Sequence, residues 1–270
     1  MRRREFLKWQ LGGTLWLTAG AALPLVSLAE AAAPGPDVAV AKGGPAAATR
    51  ACVEMLGGMG RFVKRGARVV IKPNMSFASE ASYGSNTHPE VVAALARMCS
   101  EAGAASVLVL DNPLAPAEQC LERSGIRTAC KELGDIVQAP AADRFFAEAE
   151  LPAALQMKSN AFLREVLAAD VLIAAPTAKS HGSTGVSLGL KGMMGLIKNR
   201  GVMHSRYDLD AAIVDLNTRL RAALTVVDGM YVLSTGGPFG PGKVLKEDTV
   251  IASADPVAAD AFAATLFGLS

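Results

Sequence analysis

The sequence predicts an α/β protein with a mostly parallel sheet and helices on both faces. Short runs of Val, Ile and Leu recur along the chain, and segments with helical spacing of apolar residues separate them. Strands that lack polar alternation are typical of parallel sheets covered on both sides. A length of 270 residues with 51% apolar content suffices for one core of this kind. The high apolar content also excludes a disordered or fibrous chain.

The first 31 residues are predicted to be a twin-arginine signal peptide. Arg3 and Arg4 precede Phe-Leu-Lys, residues 9–29 are uncharged, and residues 29–31 form an A-x-A cleavage site. We therefore expect export to the periplasm or an equivalent compartment, with the twin-arginine translocase as a partner. Retention of an uncleaved signal as a membrane anchor is the alternative, since the uncharged stretch is nearly long enough to span a bilayer.

Residues 32–45 are rich in Gly, Pro and Ala and predict a flexible leader, after which residues 46–270 predict a single α/β domain. The chain has 27 basic and 25 acidic residues, a formal net charge of +2. This balance argues against a nucleic-acid-binding surface. Small molecules and proteins are the expected partners.

The first half of the domain is predicted to contain three helices and three strands. Apolar spacing predicts a helix over residues 46–63, and a buried strand follows at residues 69–71. A capping box at Thr87-His88-Pro89-Glu90, with Thr87 as N-cap, begins a helix that ends at Gly103. The remaining elements are predicted at residues 107–110 (strand), 115–133 (helix) and 136–137 (strand).

The second half continues the alternation. An apolar run at residues 171–174 predicts a strand, and residues 209–222 predict a helix. The strand at residues 224–227 is expected to end at the turn sequence Asp228-Gly229. A strand at residues 250–252 precedes the last helix, which begins at Asp255-Pro256 because Asp is a good N-cap and Pro fits the first turn.

Polar side chains directly follow the predicted strands. In mostly parallel sheets, ligands bind in the crevice at the carboxyl ends of the strands. We therefore expect convergence of several polar residues that are distant in sequence: Lys72, Asn74, Asp111, Lys179, His181 and Asp228. The lysines are expected to hold a small anionic molecule. His181, Asp111 and Asp228 are the predicted catalytic residues, which would move protons or hold a divalent metal. Turn formation explains the two aspartates almost as well.

All three histidines and a glycine-rich segment are further candidates for ligand binding. His88, His181 and His204 lie in polar contexts, where an imidazole can titrate or bind a ligand. Residues 182–195 match neither a P-loop nor a dinucleotide fingerprint. Their glycines are expected either to bring backbone amides to an anion, with Gly182 and Gly185 as ligand-binding residues, or to pack closely against the sheet or a second subunit in a homo-oligomer. Lys191 and Arg200 add positive charge.

The four cysteines contain no C-x-x-C pair, so no iron–sulfur cluster is expected on the chain's own thiols. All four lie in segments predicted to be helical, and buried free thiols are the simplest interpretation. The sequence also lacks the H-E-x-x-H motif of one class of zinc hydrolases.

Several motifs together resemble the family called domain of unknown function 362. They are Ile71-Lys72-Pro73-Asn74, Thr87-His88-Pro89-Glu90, Lys179-Ser180-His181-Gly182, the run from Leu188 to Gly195, Asp228-Gly229, and the run from Ala252 to Val257. The resemblance covers roughly residues 67–268 in family order. It implies an uncharacterised α/β protein, frequently exported by the twin-arginine route. Some relatives carry ferredoxin-like cysteine clusters, which this sequence lacks.

Three functions stay open at this stage. The first is a metal-assisted or metal-free enzyme acting on a small carboxylate or phosphate compound. The second is a non-catalytic binding or maturation protein that uses the same cleft. The third is a redox accessory protein paired with an iron–sulfur partner.

Overall fold

A nine-stranded mixed sheet organises residues 36–269, the part of the chain that the computed structural model describes. The predicted signal peptide at residues 1–31 lies outside these residues. The described residues contain eleven strands, nine in this sheet and two, β5 and β6, in a separate pair. They are β1 (Ala39–Lys42), β2 (Arg68–Pro73), β3 (Ser106–Leu110), β4 (Val137–Gln138), β5 (Phe146–Glu150), β6 (Ser159–Leu163), β7 (Val171–Ala175), β8 (Thr177–His181), β9 (Gly185–Ser187), β10 (Leu224–Leu233) and β11 (Val244–Ser253).

The spatial order of the main sheet is β1-β11-β10-β7-β2-β3-β4. All neighbouring pairs from β10 through β4 are parallel, whereas β11 is antiparallel to both β10 and β1. The strand β8 extends the sheet parallel to β10, and β9 pairs with β8 in a hairpin. A separate antiparallel pair joins β5 and β6. The mostly parallel α/β fold is therefore confirmed.

Ten α-helices connect and cover the strands. They are α1 (Pro45–Met55), α2 (Met59–Phe62), α3 (Pro89–Glu101), α4 (Ala117–Arg123), α5 (Ile126–Cys130), α6 (Arg164–Ala168), α7 (Gly189–Gly192), α8 (Gly201–Arg206), α9 (Leu209–Arg219) and α10 (Pro256–Ala264), within the described residues. Short 3₁₀ turns lie at Ala81–Tyr83, Lys131–Leu133, Asp143–Phe145, Met193–Leu196 and Thr265–Phe267. None of the helices in residues 36–269 is long and apolar enough to cross a membrane.

Alternate side chains of the central strand β2 enter two different apolar cores, as the two-residue period of a strand requires. Val69 and Ile71 pack with α1, α3, α4 and α5 on one face. Val70 packs on the other face with the β5–β6 pair, α6 and α9. A third, smaller core lies between the β10–β11 pair and α10. The four cysteines lie in α1, α3, α4 and α5, where all are buried and free.

Two N-terminal elements differ from expectation. Residues 39–42 lie in the predicted leader, yet they form β1 and pair with β11 from Ala39↔Ala252 to Lys42↔Thr249. The sequence does not predict this four-residue strand because Pro and Gly, which are typical of loops, lie on either side of it. The helix predicted over residues 46–63 is divided into α1 and α2, because Gly57 and Gly58 adopt φ values of +100° and +79° that end the first helix.

The sequence Asp228-Gly229 is not a turn, which corrects the prediction for this strand. Both residues lie inside β10, and the register with β11 shifts between Gly229 and Tyr231. At Gly229 an added Cβ would lie 3.0 Å from Thr249 O, so the close approach of the two strands favours glycine here. The strands β10 and β11 are consequently ten residues long each, far longer than predicted.

Candidate functional site

A cleft of about 300 Å³ opens at the carboxyl ends of the parallel strands. It is built mainly from the end of β2 and the residues that follow it, from β8, and from the segment that runs from α7 to α8. Seven of the twelve predicted site residues line it: Lys72, Asn74, Lys179, His181, Lys191, Arg200 and His204. Residues more than a hundred positions apart in sequence thus converge at one edge, as expected for residues that follow the carboxyl ends of parallel strands.

Lys72 and Asp111 form a buried ion pair at the floor of this region. Lys72 Nζ lies 3.2 Å from Asp111 Oδ1, and their side chains are 3% and 0% exposed. The ammonium also donates to the carbonyl of Pro73. Asp111 Oδ2 accepts hydrogen bonds from Met75 N at 2.8 Å and from the Ser76 hydroxyl at 3.0 Å. Burial lowers the pKa of Lys72, and the neighbouring carboxylate of Asp111 opposes that shift.

Gly195 makes this ion pair sterically possible. A Cβ at this position would lie 2.1 Å from Asp111 Oδ1 and 2.7 Å from Lys72 Cε. The backbone of the same turn is fixed by Asn112, whose N–H donates to Gly195 O at 2.9 Å. Close packing therefore explains this glycine of the glycine-rich segment.

Asn74 connects the end of β2 to the start of β8. Its Oδ1 accepts a hydrogen bond from Thr177 N at 2.9 Å, and its own N–H donates to Thr87 Oγ1 at 2.8 Å. The Thr87 hydroxyl in turn donates to Ala175 O at 2.7 Å. Because Thr87 is used in this way, it is not the N-cap of α3, which corrects the predicted capping box. His88 is the N-cap, and its Nδ1 accepts from Glu90 N at 3.2 Å.

Lys179 lies inside β8 rather than in a loop after β7, which corrects the prediction for this segment. It is 3% exposed, and its ammonium donates to Ser85 O at 2.6 Å. Nζ also lies 5.2 Å from the ring centroid of Phe77. Burial, reinforced by the charges of Lys72 and Lys191, lowers the pKa of Lys179 to about 7, against the opposing effect of Asp111.

His181 and His204 form a stacked pair, with ring centroids 6.4 Å apart and an interplanar angle of 24°. Burial and the nearby charge of Lys191 lower the pKa of His181 to about 4, and the same causes lower the pKa of His204. Both rings are therefore neutral at pH 7. His181 Nδ1 accepts from Ser183 N at 3.1 Å, so the ring proton belongs on Nε2. In this tautomer His181 is a hydrogen-bond donor.

Lys191 and Arg200 supply two more cations. Burial and the charge of Arg200 lower the pKa of Lys191 to about 8, and burial also lowers the pKa of Arg200. Arg200 donates to the carbonyl of Asn112. Asp260 of α10 fixes the start of α7, the helix that carries Lys191. Its carboxylate accepts hydrogen bonds from Gly189 N at 2.8 Å and from Leu190 N at 2.9 Å.

The cleft is strongly cationic. Four basic side chains line it, and no acidic side chain in the described part of the chain does so. The nearest carboxylate, Asp111, lies beneath the surface and neutralises one charge at most. Repulsion among the cations is relieved when an anion binds. The cleft therefore brings basic side chains and two imidazoles together without an acidic neighbour in its described lining.

Five predicted site residues do not line the cleft. Asp111 is fully buried beneath it as the partner of Lys72. Asp228 lies within β10, where it accepts from His88 N at 2.6 Å and from Met230 N at 2.9 Å. Burial raises the pKa of Asp228 to about 6 in spite of these two hydrogen bonds. His88 faces a different depression, beside Tyr231.

Gly182 and Gly185 form the β8–β9 hairpin and are also absent from the cleft lining. Gly185 has φ +71°, which the turn requires. Their amides are therefore not placed around an anion in this cleft, in contrast to the prediction. The amides of Gly189 and Leu190, which do meet a carboxylate, are already occupied by Asp260.

Several lining residues are not among the predicted site residues. Ser76 and Phe77 lie shortly after the end of β2. Extending the expected site at this strand end by three residues, from Asn74 to Phe77, would include both. Pro238 lies in the connection between β10 and β11. A predicted turn at Asp228-Gly229 ends β10 too early, so this connection is not expected near the cleft. Leu114 and Met194 carry no polar signal. In residues 36–269, no group of three or more His, Cys, Asp or Glu side chains is placed to hold a metal ion.

The fold and the cleft together define an α/β protein with a cationic cleft at the carboxyl ends of its parallel strands. The family model "Domain of unknown function (DUF362)" matches residues 69–265, and the chain belongs to this family. The thylakoid-associated protein sll1697 of Synechocystis sp. is 28% identical over 200 residues. That match covers 72% of this chain and 61% of the relative, so the chain spans about three fifths of the relative's length.

Two solved structures share similarity at low sequence identity. The lactate racemase apoprotein of Thermoanaerobacterium thermosaccharolyticum has a TM-score of 0.46 at 13% identity, over 75% of this chain and 49% of the other. A crystal structure of a protein from Thermotoga maritima has a TM-score of 0.48 at 14% identity, over 84% of this chain and 60% of the other.

Proposed function

We propose that the strand-end cleft binds a small anionic molecule, a carboxylate or phosphate compound, as a substrate. The observation that carries this proposal is the convergence of four basic side chains and two neutral imidazoles on one cleft without an acidic lining residue among those described. A volume of about 300 Å³ suits a metabolite of a few carbon atoms. Lys72, Lys191 and Arg200 provide charge, and His181 donates a hydrogen bond.

Small anions are expected to stabilise the wild-type protein against heat. A ligand at a hundred times its dissociation constant adds about 2.7 kcal/mol. For a domain of this size, the melting temperature then rises by roughly 2–4 °C for each kcal/mol. Phosphate, sulfate, malonate and citrate are compared by thermal shift at constant ionic strength.

Two lysine variants make the thermal-shift experiment specific. Lys191→Gln removes a cation of the cleft, and we expect it to abolish most of the anion-dependent shift. Lys64→Ala removes an exposed cation elsewhere and should respond like the wild type. The cleft is not an anion site if no anion raises the melting temperature of the wild type. The same conclusion follows if anions raise the melting temperature of Lys191→Gln as much as that of Lys64→Ala.

We also propose that the chain is exported by the twin-arginine route, on the basis of the paired Arg3 and Arg4 and the uncharged residues that follow. Changing both to lysine keeps the charge but removes the guanidinium pair. The precursor should then remain in the cytoplasm, as measured by cell fractionation and immunoblotting.

Arg2→Lys is the matched control for export, because it changes a neighbouring arginine outside the pair and should leave export intact. Periplasmic protein at the wild-type level in the double variant would refute the assignment. Loss of export in both variants would show that total arginine content, rather than the pair, matters.

A further inference from the structure

Lys179 differs from the other cations of the cleft because it is both buried and without a counter-ion. Lys72 is equally buried but is paired with Asp111. Lys191 and Arg200 also have no carboxylate partner among the described residues, but they are only half-buried. Lys179 donates to a single neutral acceptor, Ser85 O. Among residues 36–269, no carboxylate oxygen lies within 4.0 Å of its Nζ. Its ammonium is therefore buried without a direct counter-ion.

The groups that face Lys179 favour loss of its proton. Lys72 on β2 and Lys191 on α7 repel the ammonium, and Asp111, which attracts it, is engaged by Lys72. His181, two residues along the same strand, is neutral at pH 7 because its pKa is lowered to about 4. With the pKa of Lys179 itself near 7, a large share of the amine is unprotonated at neutral pH. Desolvation next to another cation is a known way to activate a lysine as a nucleophile.

We propose that Lys179 forms a Schiff base with the carbonyl group of a small 2-oxo acid bound in the cleft. This inference rests on the proposed function, because the carboxylate of the 2-oxo acid is the anion that the cleft would hold. Lys191 and Arg200 line the cleft and supply charge for that carboxylate. His181 Nε2–H can donate to the carbonyl oxygen and polarise it.

The proposed step balances without an oxidant or a reductant. The lone pair of the neutral amine adds to the carbonyl carbon, and the carbonyl oxygen takes up a proton to give a carbinolamine. The two hydrogens of the amine nitrogen leave with that oxygen as one molecule of water, and a C=N bond remains. Protonation of the imine gives an iminium group, which can accept electrons from the adjacent carbon–carbon bond.

Reductive trapping with pyruvate tests the proposal on the full chain. Borohydride converts an imine into a stable secondary amine, which peptide mapping by mass spectrometry assigns to a residue. At pH 7 the neutral fraction of Lys179 should be roughly a thousandfold larger than that of a free lysine side chain in water, whose pKa is about 10.4. We therefore expect one predominant adduct, on Lys179, and strong suppression of it by excess phosphate. Lactate, which has a hydroxyl group in place of the keto group of pyruvate, should give none.

The variants distinguish this proposal from the proposed function. Lys179→Arg keeps a basic side chain but cannot form an imine, so it should lose trapping while anions still raise its melting temperature. Lys191→Arg should retain trapping at Lys179, which keeps the test valid if the first variant does not fold. Stabilisation by pyruvate without an adduct on Lys179 would overturn the Schiff base and leave anion binding intact. An adduct mainly on Lys191, or spread over surface lysines, would also overturn it. Absence of trapping, together with no rise in melting temperature with pyruvate or with any of the four other anions, would overturn both proposals.

Discussion

Replacing Asp111 by asparagine is expected to destabilise the folded protein by about 3–5 kcal/mol, because removal of one partner leaves the other charge buried and uncompensated. Lys72, 3% exposed, would then have only the Pro73 carbonyl as a partner. The introduced amide oxygen could still accept from Met75 N, so most of the loss is electrostatic. Urea unfolding at pH 7 measures the change as a lower midpoint.

Two further variants test the cause of this loss. Asp170→Asn breaks the exposed ion pair with Arg68 and should change stability far less, because solvent screens that pair. Lys72→Met in the Asp111→Asn background removes the stranded charge and should recover part of the lost stability. Equal, small losses in Asp111→Asn and Asp170→Asn would show that the Lys72–Asp111 pair contributes no more than a surface pair.

Gly195→Ala is expected to lower stability by about 1–3 kcal/mol, as overpacking of a well-filled site does. The new Cβ would lie 2.1 Å from Asp111 Oδ1, and Asp111 cannot move away without losing its hydrogen bonds to Met75 N and Ser76. Because Lys72 must shift as well, the variant should also lose the anion-dependent rise in melting temperature. Thermal shift with and without phosphate measures both effects.

Gly192→Ala is the matched control for this prediction. It lies three residues earlier, and its Cβ would lie 3.8 Å from Pro176 Cβ, an ordinary contact. Alanine also favours a helix over glycine by roughly 1 kcal/mol, so this variant should be at least as stable as the wild type. A Gly195→Ala protein with wild-type stability and anion response would mean that the Lys72–Asp111 pair does not depend on this glycine.

Much of the cleft could be predicted because strand ends in a parallel sheet meet at one edge. Lys72, Asn74 and Lys179 required only the recognition of short apolar strands and the polar residues after them. Lys191 and Arg200 were added on charge alone. The sheet class followed from the same alternation, since each apolar strand had to be covered on two faces.

The remaining residues depended on contacts between distant segments, which sequence does not display. At Asp228 the sequence predicts a turn because Asp-Gly is a common turn sequence, whereas Gly229 lets β11 approach closely within a continuous strand. At Thr87 the local motif predicts a helix cap, yet the hydroxyl accepts from Asn74 N and donates to Ala175 O. Whether His181 acts as a donor depends on a turn at Ser183, which is visible only in three dimensions.

The contact between Asp260 and the start of α7 has a consequence for the order of events during synthesis. The Gly189 and Leu190 amides receive their acceptor from a residue made about seventy positions later. A nascent chain that still lacks α10 leaves these two amides without this acceptor, so the two hydrogen bonds at the start of α7 can form only after residue 260 has been synthesised.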